Sequence, residues 1–168
     1  GEHVMNYHNI LHDDMLNGDG LRVVLFVSGC DHSCPQCQNP QTHSVSSGIP
    51  FDQDALDEIR TELSKDYITG ITFSGGDPLH PSNRETVASI IWSLSDILKT
   101  ANKTVWIYTG YRWEDVKNER AVRLADVLVD GEFDSALLDV NYPWAGSTNQ
   151  RVIDVQQSLR TGQVILHE

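Results

Sequence analysis

Short apolar runs alternate along the chain with segments in which apolar residues recur at helical spacing. An apolar run bounded by turn residues predicts a buried strand, whereas apolar positions three or four residues apart predict one face of a helix. The runs that are predicted to be strands are Arg22–Ser28, Gly70–Ser74, Thr104–Tyr108, Asp126–Gly131, Arg151–Asp154 and Val164–Leu166. Two glycines in the preceding polar loop, Gly18 and Gly20, suit a tight turn before the first of these strands.

Helical segments lie between the predicted strands. Asp52 is predicted to cap a helix that runs to about Ser64, and Ser82–Glu85 has the pattern of a capping box before a helix that extends to about Lys99. A further helical stretch covers Trp113–Leu124. Strands that alternate with helices predict a parallel sheet with right-handed crossover connections.

The length of 168 residues suits one domain, and we expect a single domain over residues 5–168. The chain is too short for a closed eight-stranded (β/α) barrel, which typically needs about 200 residues or more. The predicted fold class is therefore α/β, with an open, curved and mostly parallel sheet. Residues 1–4 precede Met5, and we interpret them as a vector-derived remnant outside the fold.

The charge of the chain narrows the classes of partner. The formal net charge is −12, which disfavours nonspecific binding to nucleic acid and to anionic membranes. No apolar segment approaches the roughly 20 residues that a membrane-spanning helix needs. The cysteines lack a secretory context, so reduced thiols and a cytoplasmic location are expected. Neither nucleic acid nor a membrane is expected among the partners.

All three cysteines lie in one short segment, Cys30–Cys37, directly after the first predicted strand. Their odd number and close spacing disfavour disulfides. A zinc site would need a histidine as its fourth ligand, and a noncatalytic zinc or iron-sulfur binding module remains an alternative. Three cysteines around a four-iron cluster would leave one iron without a protein ligand. An open coordination position is typical of reactive metal sites, so the cysteines favour catalysis.

Two further features lie at the ends of predicted strands, where ligands bind in open α/β folds. Gly75–Asp77 follows the second strand, and its glycines allow a ligand to approach the backbone closely. Asp130 ends the fourth strand and is well placed either for polar contact with a ligand or for capping the next segment. The long polar loop 38–49 is expected to cover the cysteine segment, because structureless loops of that length are commonly functional.

The Cys-x3-Cys-x2-Cys spacing resembles the signature of the radical S-adenosylmethionine enzymes. The resemblance implies that Cys30, Cys34 and Cys37 ligate a [4Fe-4S] cluster whose open iron chelates the methionine end of S-adenosylmethionine. Gly75-Gly76-Asp77 is similar to the Gly-Gly-Glu motif of that family, whose backbone binds the methionine amino group, with Asp in place of Glu. Gln36 stands where many members carry an aromatic residue. The cofactor-binding residues implied by the resemblance are Gln36, Cys37, Gln38, Gly75, Gly76, Asp77 and Asp130.

A wider set of motifs resembles one family, the anaerobic ribonucleoside-triphosphate reductase activating proteins, which are glycyl-radical activases. These motifs are Asn17-Gly18, Phe26–Cys30, Ser74–Pro81, Thr109–Tyr111, Val127–Gly131 and Gly146–Gln150. The resemblance implies a partial (β/α)6 barrel of radical S-adenosylmethionine type, and hydrogen abstraction from a glycine of the reductase. A flavodoxin-like or other low-potential donor is the implied electron source. An activase of another glycyl-radical enzyme, such as a formate-lyase, is the alternative.

The implied substrate is a protein, because the sequence offers no insertion large enough to close a pocket over a small molecule. A partial barrel leaves a lateral opening through which a loop of the partner could enter. Tyr111, Trp113 and the polar segment 141–150 are candidates for the rim of that opening. Packing against the protein is the alternative for the two aromatic residues.

Overall fold

The computed structural model describes residues 5–29, 48–139 and 144–168. Within these residues the strands form one sheet, and helices cover it. The strands are β1 Asn6–Asp14, β2 Arg22–Val27, β3 Ile49–Pro50, β4 Gly70–Gly75, β5 Thr104–Tyr108, β6 Val127–Asp130 and β7 Arg151–Asp154. The helices are α1 Gln53–Leu63, α2 Arg84–Ser93, α3 Ser95–Thr100, α4 Trp113–Val116, α5 Arg120–Arg123 and α6 Val155–Thr161.

The sheet is open and has the strand order β3-β1-β2-β4-β5-β6-β7. Strands β2, β4, β5 and β6 pair in parallel, each with the next. The flanking pairs β1 with β2, β1 with β3 and β6 with β7 are antiparallel. The predicted α/β class with a mostly parallel open sheet is therefore confirmed, and the parallel strands form its centre.

The two sides of the sheet differ from the prediction. Strand β1 was not predicted, because most of its side chains are polar and only Ile10 among them is buried. Strand β7 was predicted correctly but is antiparallel to β6, since no α-helix crosses over between them in the described residues. The predicted strand Val164–Leu166 is wrong. It contributes one isolated bridge, between Leu166 and Ile153.

The helix prediction is confirmed at α1, where the Asp52 side chain accepts a hydrogen bond from the Ala55 amide as an N-cap. The predicted capping box Ser82–Glu85 is wrong, since α2 begins at Arg84 and its N-cap residue is Asn83 in place of Ser82. The predicted long helix is broken at Leu94, next to Ser93, whose hydroxyl donates to the Ile90 carbonyl. The stretch Trp113–Leu124 is likewise divided, into α4 and α5.

Both faces of the sheet are buried. Alternate strand residues such as Leu25, Phe73 and Ile107 pack against the helices in the main core. A smaller cluster, which contains Trp106 and Val129, lies separately from the main core. No helix in the described residues is long and apolar enough to cross a membrane.

One buried arginine, Arg22, lies at the start of the parallel strands. Among the described residues its guanidinium donates to neutral oxygens only, including the hydroxyls of Thr72 at 2.8 Å and Thr104 at 2.9 Å. It also lies 5.5 Å from the centre of the Trp106 ring. Burial lowers the pKa of Arg22 to about 10. The group therefore joins β2 to β4 and β5 at the start of the strands.

Candidate functional site

The parallel strands all end at one edge of the sheet, which we call the exit edge. The residues that follow β2, β4 and β5 at this edge are Ser28–Gly29, Gly76–Asp77 and Thr109–Gly110. Neighbouring parallel strands bring these loops side by side, so the glycine loop after β4 contacts the segment that leads to Cys30. This is the position at which open α/β sheets bind ligands.

The glycine loop is held close to the end of β2. Gly75 has a φ of +102°, and a Cβ atom there would lie 2.6 Å from the carbonyl oxygen of Val27. The next two amides bind the β2 backbone, since Gly76 N donates to Val27 O at 2.8 Å and Asp77 N donates to Gly29 O at 2.5 Å. Glycine is therefore required at position 75 because the backbones of β4 and β2 approach closely there, whether or not a ligand is bound.

The Asp77 carboxylate links the exits of β4 and β5. The side chain is buried, and the residue is 1% exposed. Its Oδ1 accepts from the Thr109 hydroxyl at 2.7 Å and from the Leu79 amide at 2.9 Å. Its Oδ2 accepts from the Gly110 amide at 2.9 Å. These contacts fix the loop after β4 in place, and the predicted contact of Asp77 with a cofactor stays a prediction.

The Asp130 carboxylate has the same kind of role at the end of β6. It accepts from the Trp113 amide at 2.7 Å, at the start of α4, and from the Arg151 guanidinium at 2.5 and 3.1 Å. Arg151 also donates to Glu114 at 2.8 Å, which lowers the pKa of Glu114 to about 2. Both oxygens of Asp130 are thus engaged with protein donors. Ligand contact stays a prediction. The alternative that Asp130 caps the next segment is wrong, because Asp134 caps the following turn, Ser135–Leu137, and the helix amide that Asp130 binds belongs to the earlier α4.

One residue of the exit edge was not predicted. Asn83 is buried, and its amide nitrogen donates to Ser28 O at 2.7 Å and to Asp77 O at 3.0 Å. In the sequence, Asn83 lies within the predicted capping box Ser82–Glu85, and such a pattern predicts contacts only among neighbouring residues. A buried asparagine that joins two loops can be recognised only once those loops are known to be adjacent.

The rim prediction is wrong for Trp113, and it stays a prediction for Tyr111 and segment 141–150. Trp113 packs in the main core and is 5% exposed, so it does not lie on a rim. Tyr111 is half-buried, and the guanidinium of Arg84 lies 5.7 Å from its ring centre. In the described part of segment 141–150, Trp144 packs on Trp106 with ring centres 5.4 Å apart. Gln150 accepts there from the amides of Gly146 and Ser147.

The predicted cluster ligands Cys30, Cys34 and Cys37, together with Gln36 and Gln38, lie outside the described residues. The described residues on both sides of that segment support a site at the exit edge. Gly29 has a φ of +99° and its carbonyl accepts from Asp77 N. A Cβ atom at Gly48 would lie 2.8 Å from the Ser28 hydroxyl. Both flanks of the cysteine segment therefore lie at the end of β2, and the Gly29 flank also contacts the glycine loop, which fits a thiolate-bound cluster at this edge.

Comparison with known proteins identifies the family. Residues 16–153 match the model of a family described as "4Fe-4S single cluster domain". A protein of Enterobacteria phage T4 is 40% identical over 149 residues, which cover 88% of this chain and 93% of the relative. A protein of Escherichia coli K12 is 41% identical over 152 residues, covering 88% of this chain and 97% of the relative.

A protein of Haemophilus influenzae is 38% identical over 150 residues, covering 87% of this chain and 96% of the relative. All three relatives carry the name "anaerobic ribonucleoside-triphosphate reductase-activating protein". The resemblance inferred from the motifs is confirmed by these matches, which extend over most of the chain. The chain belongs to the family of anaerobic ribonucleoside-triphosphate reductase-activating proteins and contains a 4Fe-4S single cluster domain.

Proposed function

We propose that this chain activates an anaerobic ribonucleoside-triphosphate reductase by generating a glycyl radical on it. The observation that carries the proposal is the arrangement at the exit edge, where the glycine loop binds the backbone that leads into the three-cysteine segment. The family relationship supports the same activity, since the relatives are named for activation of that reductase.

Cys30, Cys34 and Cys37 are the residues that would hold the [4Fe-4S] cluster, with one iron left open for S-adenosylmethionine. When both are bound, they would supply a one-electron reductive cleavage that yields a carbon radical able to abstract hydrogen from glycine. Gln36 and Gln38 lie in the same segment and are proposed to contact the cofactor. The electron would come from a flavodoxin-like or other low-potential donor.

The described residues would bind and orient the cofactor at the exit edge. Gly75 and Gly76 present backbone without side chains, so a methionine amino group could approach a carbonyl there. Asp77 fixes that loop against Thr109 and Gly110, which reduces its freedom before the cofactor binds. These features favour a partial barrel of radical S-adenosylmethionine type that is open on its side.

The test is an anaerobic incubation of the cluster-loaded chain with reductant, S-adenosylmethionine and an anaerobic ribonucleotide reductase. The expected result is 5′-deoxyadenosine together with a glycyl doublet in the electron paramagnetic resonance spectrum of the reductase. A reductase whose C-terminal radical glycine is replaced by alanine is the control and should give no doublet. A doublet that persists in this control would refute the proposed site of abstraction.

A parallel incubation with a formate-lyase separates the two kinds of activase. We expect a radical in the reductase and none in the lyase. Reconstitution with iron and sulfide separates a cluster from zinc, since only the cluster absorbs visible light. A colourless protein with one bound zinc, and no 5′-deoxyadenosine, would support the noncatalytic alternative.

A further inference from the structure

Asn83 is a buried polar residue for which the proposed function so far gives no role. It lies directly before α2, with a φ of −115° and a ψ of −32°, and it is 1% exposed. Asparagine in this position usually accepts a hydrogen bond from an amide of the first helical turn. Here the side chain makes no such bond, so its burial needs another explanation.

The Asn83 amide completes a row of three hydrogen bonds along the end of β2. The last ladder pair of β2 and β4 is Val27 with Gly75. Beyond it, the carbonyls of Val27, Ser28 and Gly29 accept in turn from Gly76 N at 2.8 Å, Asn83 Nδ2 at 2.7 Å and Asp77 N at 2.5 Å. Every backbone carbonyl in the stretch that leads to Cys30 is thus bound by a group from residues 76–83.

The same amide binds a second loop. Asn83 Nδ2 also donates to the carbonyl oxygen of Asp77 at 3.0 Å. The carboxylate of Asp77 in turn binds Thr109 and Gly110 after β5. A primary amide carries two N–H donors on one atom, so it can serve two carbonyls at once, whereas a carboxylate has no donor and a hydroxyl has one. Asn83 therefore joins the exits of β2, β4 and β5.

We propose that Asn83 is a positioning residue, which holds the backbone entering the cysteine segment against the Gly76–Asp77 loop. The inference rests on the proposed function, because its consequence is that cluster and S-adenosylmethionine are held at a fixed separation. We call the two hydrogen bonds of the Asn83 amide, to Ser28 O and Asp77 O, the Asn83 clamp. If the clamp is lost, the cysteines remain but the glycine loop can move relative to them. Binding of the cofactor is then weakened although the cluster is retained.

Helix capping is the competing explanation, and two substitutions separate it from the clamp. Aspartate and serine are N-cap residues as good as asparagine, and aspartate adds a favourable charge at the helix N-terminus. If Asn83 acted only as a cap, Asn83→Asp and Asn83→Ser would behave like the parent protein. If Asn83 instead holds the two loops together, both variants should differ from the parent protein. Asn83→Asp places a carboxylate against two carbonyl oxygens, and the serine side chain of Asn83→Ser is too short to reach both of them. Ser82→Ala is the matched control.

The experiment measures hydrogen exchange of the Gly76 and Asp77 amides and binding of S-adenosylmethionine by calorimetry, both on the full cluster-loaded chain. In both Asn83 variants we expect exchange and the dissociation constant to rise about tenfold or more, because a buried carbonyl loses its donor. Iron content should stay at the parent level, and Ser82→Ala should match the parent in every measurement. If Asn83→Asp does not fold, Asn83→Ser decides alone, since it adds no charge.

Unchanged exchange in the variants would overturn the clamp. Faster exchange with unchanged affinity would also overturn the proposal, because the contact would then hold the loops without positioning the cofactor. If the parent protein binds no S-adenosylmethionine and produces no glycyl radical, the proposed function fails. If the parent protein and the Asn83 variants bind S-adenosylmethionine equally well, the proposed function is retained and Asn83 has no positioning role.

Discussion

Gly75 provides a direct test of how closely β4 approaches β2. An alanine at this position would need a φ of +102°, which costs about 1–3 kcal/mol in a residue with a side chain. Its Cβ would also lie 2.6 Å from Val27 O and 2.7 Å from Val27 N, so the two backbones must separate. Weakening the bonds from Gly76 N and Asp77 N adds about 1 kcal/mol each. We expect Gly75→Ala to lower the free energy of unfolding by about 3–5 kcal/mol.

Gly162→Ala is the matched control for that measurement. Gly162 also has a positive φ, +74°, but no atom lies within 4 Å of the position of its Cβ. This substitution should cost only about 1 kcal/mol, the usual penalty for a left-handed residue with a side chain. Urea unfolding of both variants, followed by circular dichroism, gives the difference. Equal losses would show that β2 does not restrict Gly75, and would refute the close approach at the exit edge.

Three further predictions concern the cluster, the cofactor loop and acid stability. Cys34→Ala should abolish 5′-deoxyadenosine formation, and full cleavage by this variant would remove Cys34 from the cluster ligands. Gly76→Val should weaken binding of S-adenosylmethionine in calorimetry while the visible spectrum of the cluster stays unchanged. Unchanged binding would show that the loop is only a turn and does not contact the cofactor. Glu114 has its pKa lowered from 4.5 to about 2 by the Arg151 hydrogen bond, so its contribution to stability is present above about pH 4.5 and is lost as the pH falls toward 2. Glu114→Gln should therefore lose less stability than the parent between pH 5 and pH 3 in urea titrations, and equal losses would contradict this role of the ion pair.

The centre of the fold could be predicted from the sequence because parallel strands are buried on both faces. A continuous apolar run such as Thr104–Tyr108 is then sufficient to locate a strand. Strand β1 gave no such signal, since most of its side chains are polar and only Ile10 is buried. The direction of β7 could not be read from its own residues. It depends on the connection from β6, which lacks a crossover helix in the described residues.

The candidate site was predictable where one short motif contains the whole feature. Gly75–Asp77 was assigned to the site from its own residues and from the strand before it. Asn83 was not, because its partners Ser28 and Asp77 belong to other loops and the local capping pattern suggested a different role. Trp113 was misplaced for a similar reason. An aromatic residue after a strand can face either solvent or the core, and only the packing of α4 decides.

The acidic residues of the exit edge also indicate how a ligand would be recognised there. Asp77 binds donors from the β5 exit, and Asp130 binds the start of α4 and Arg151 of β7. Each carboxylate thus connects neighbouring exits of the sheet and holds them in position. A ligand that approaches Gly75 and Gly76 would meet mainly backbone groups whose positions these carboxylates fix. Backbone recognition would depend on the path of the chain more than on the length of the acidic side chain, so we expect Asp77 to serve where the resembled motif has glutamate.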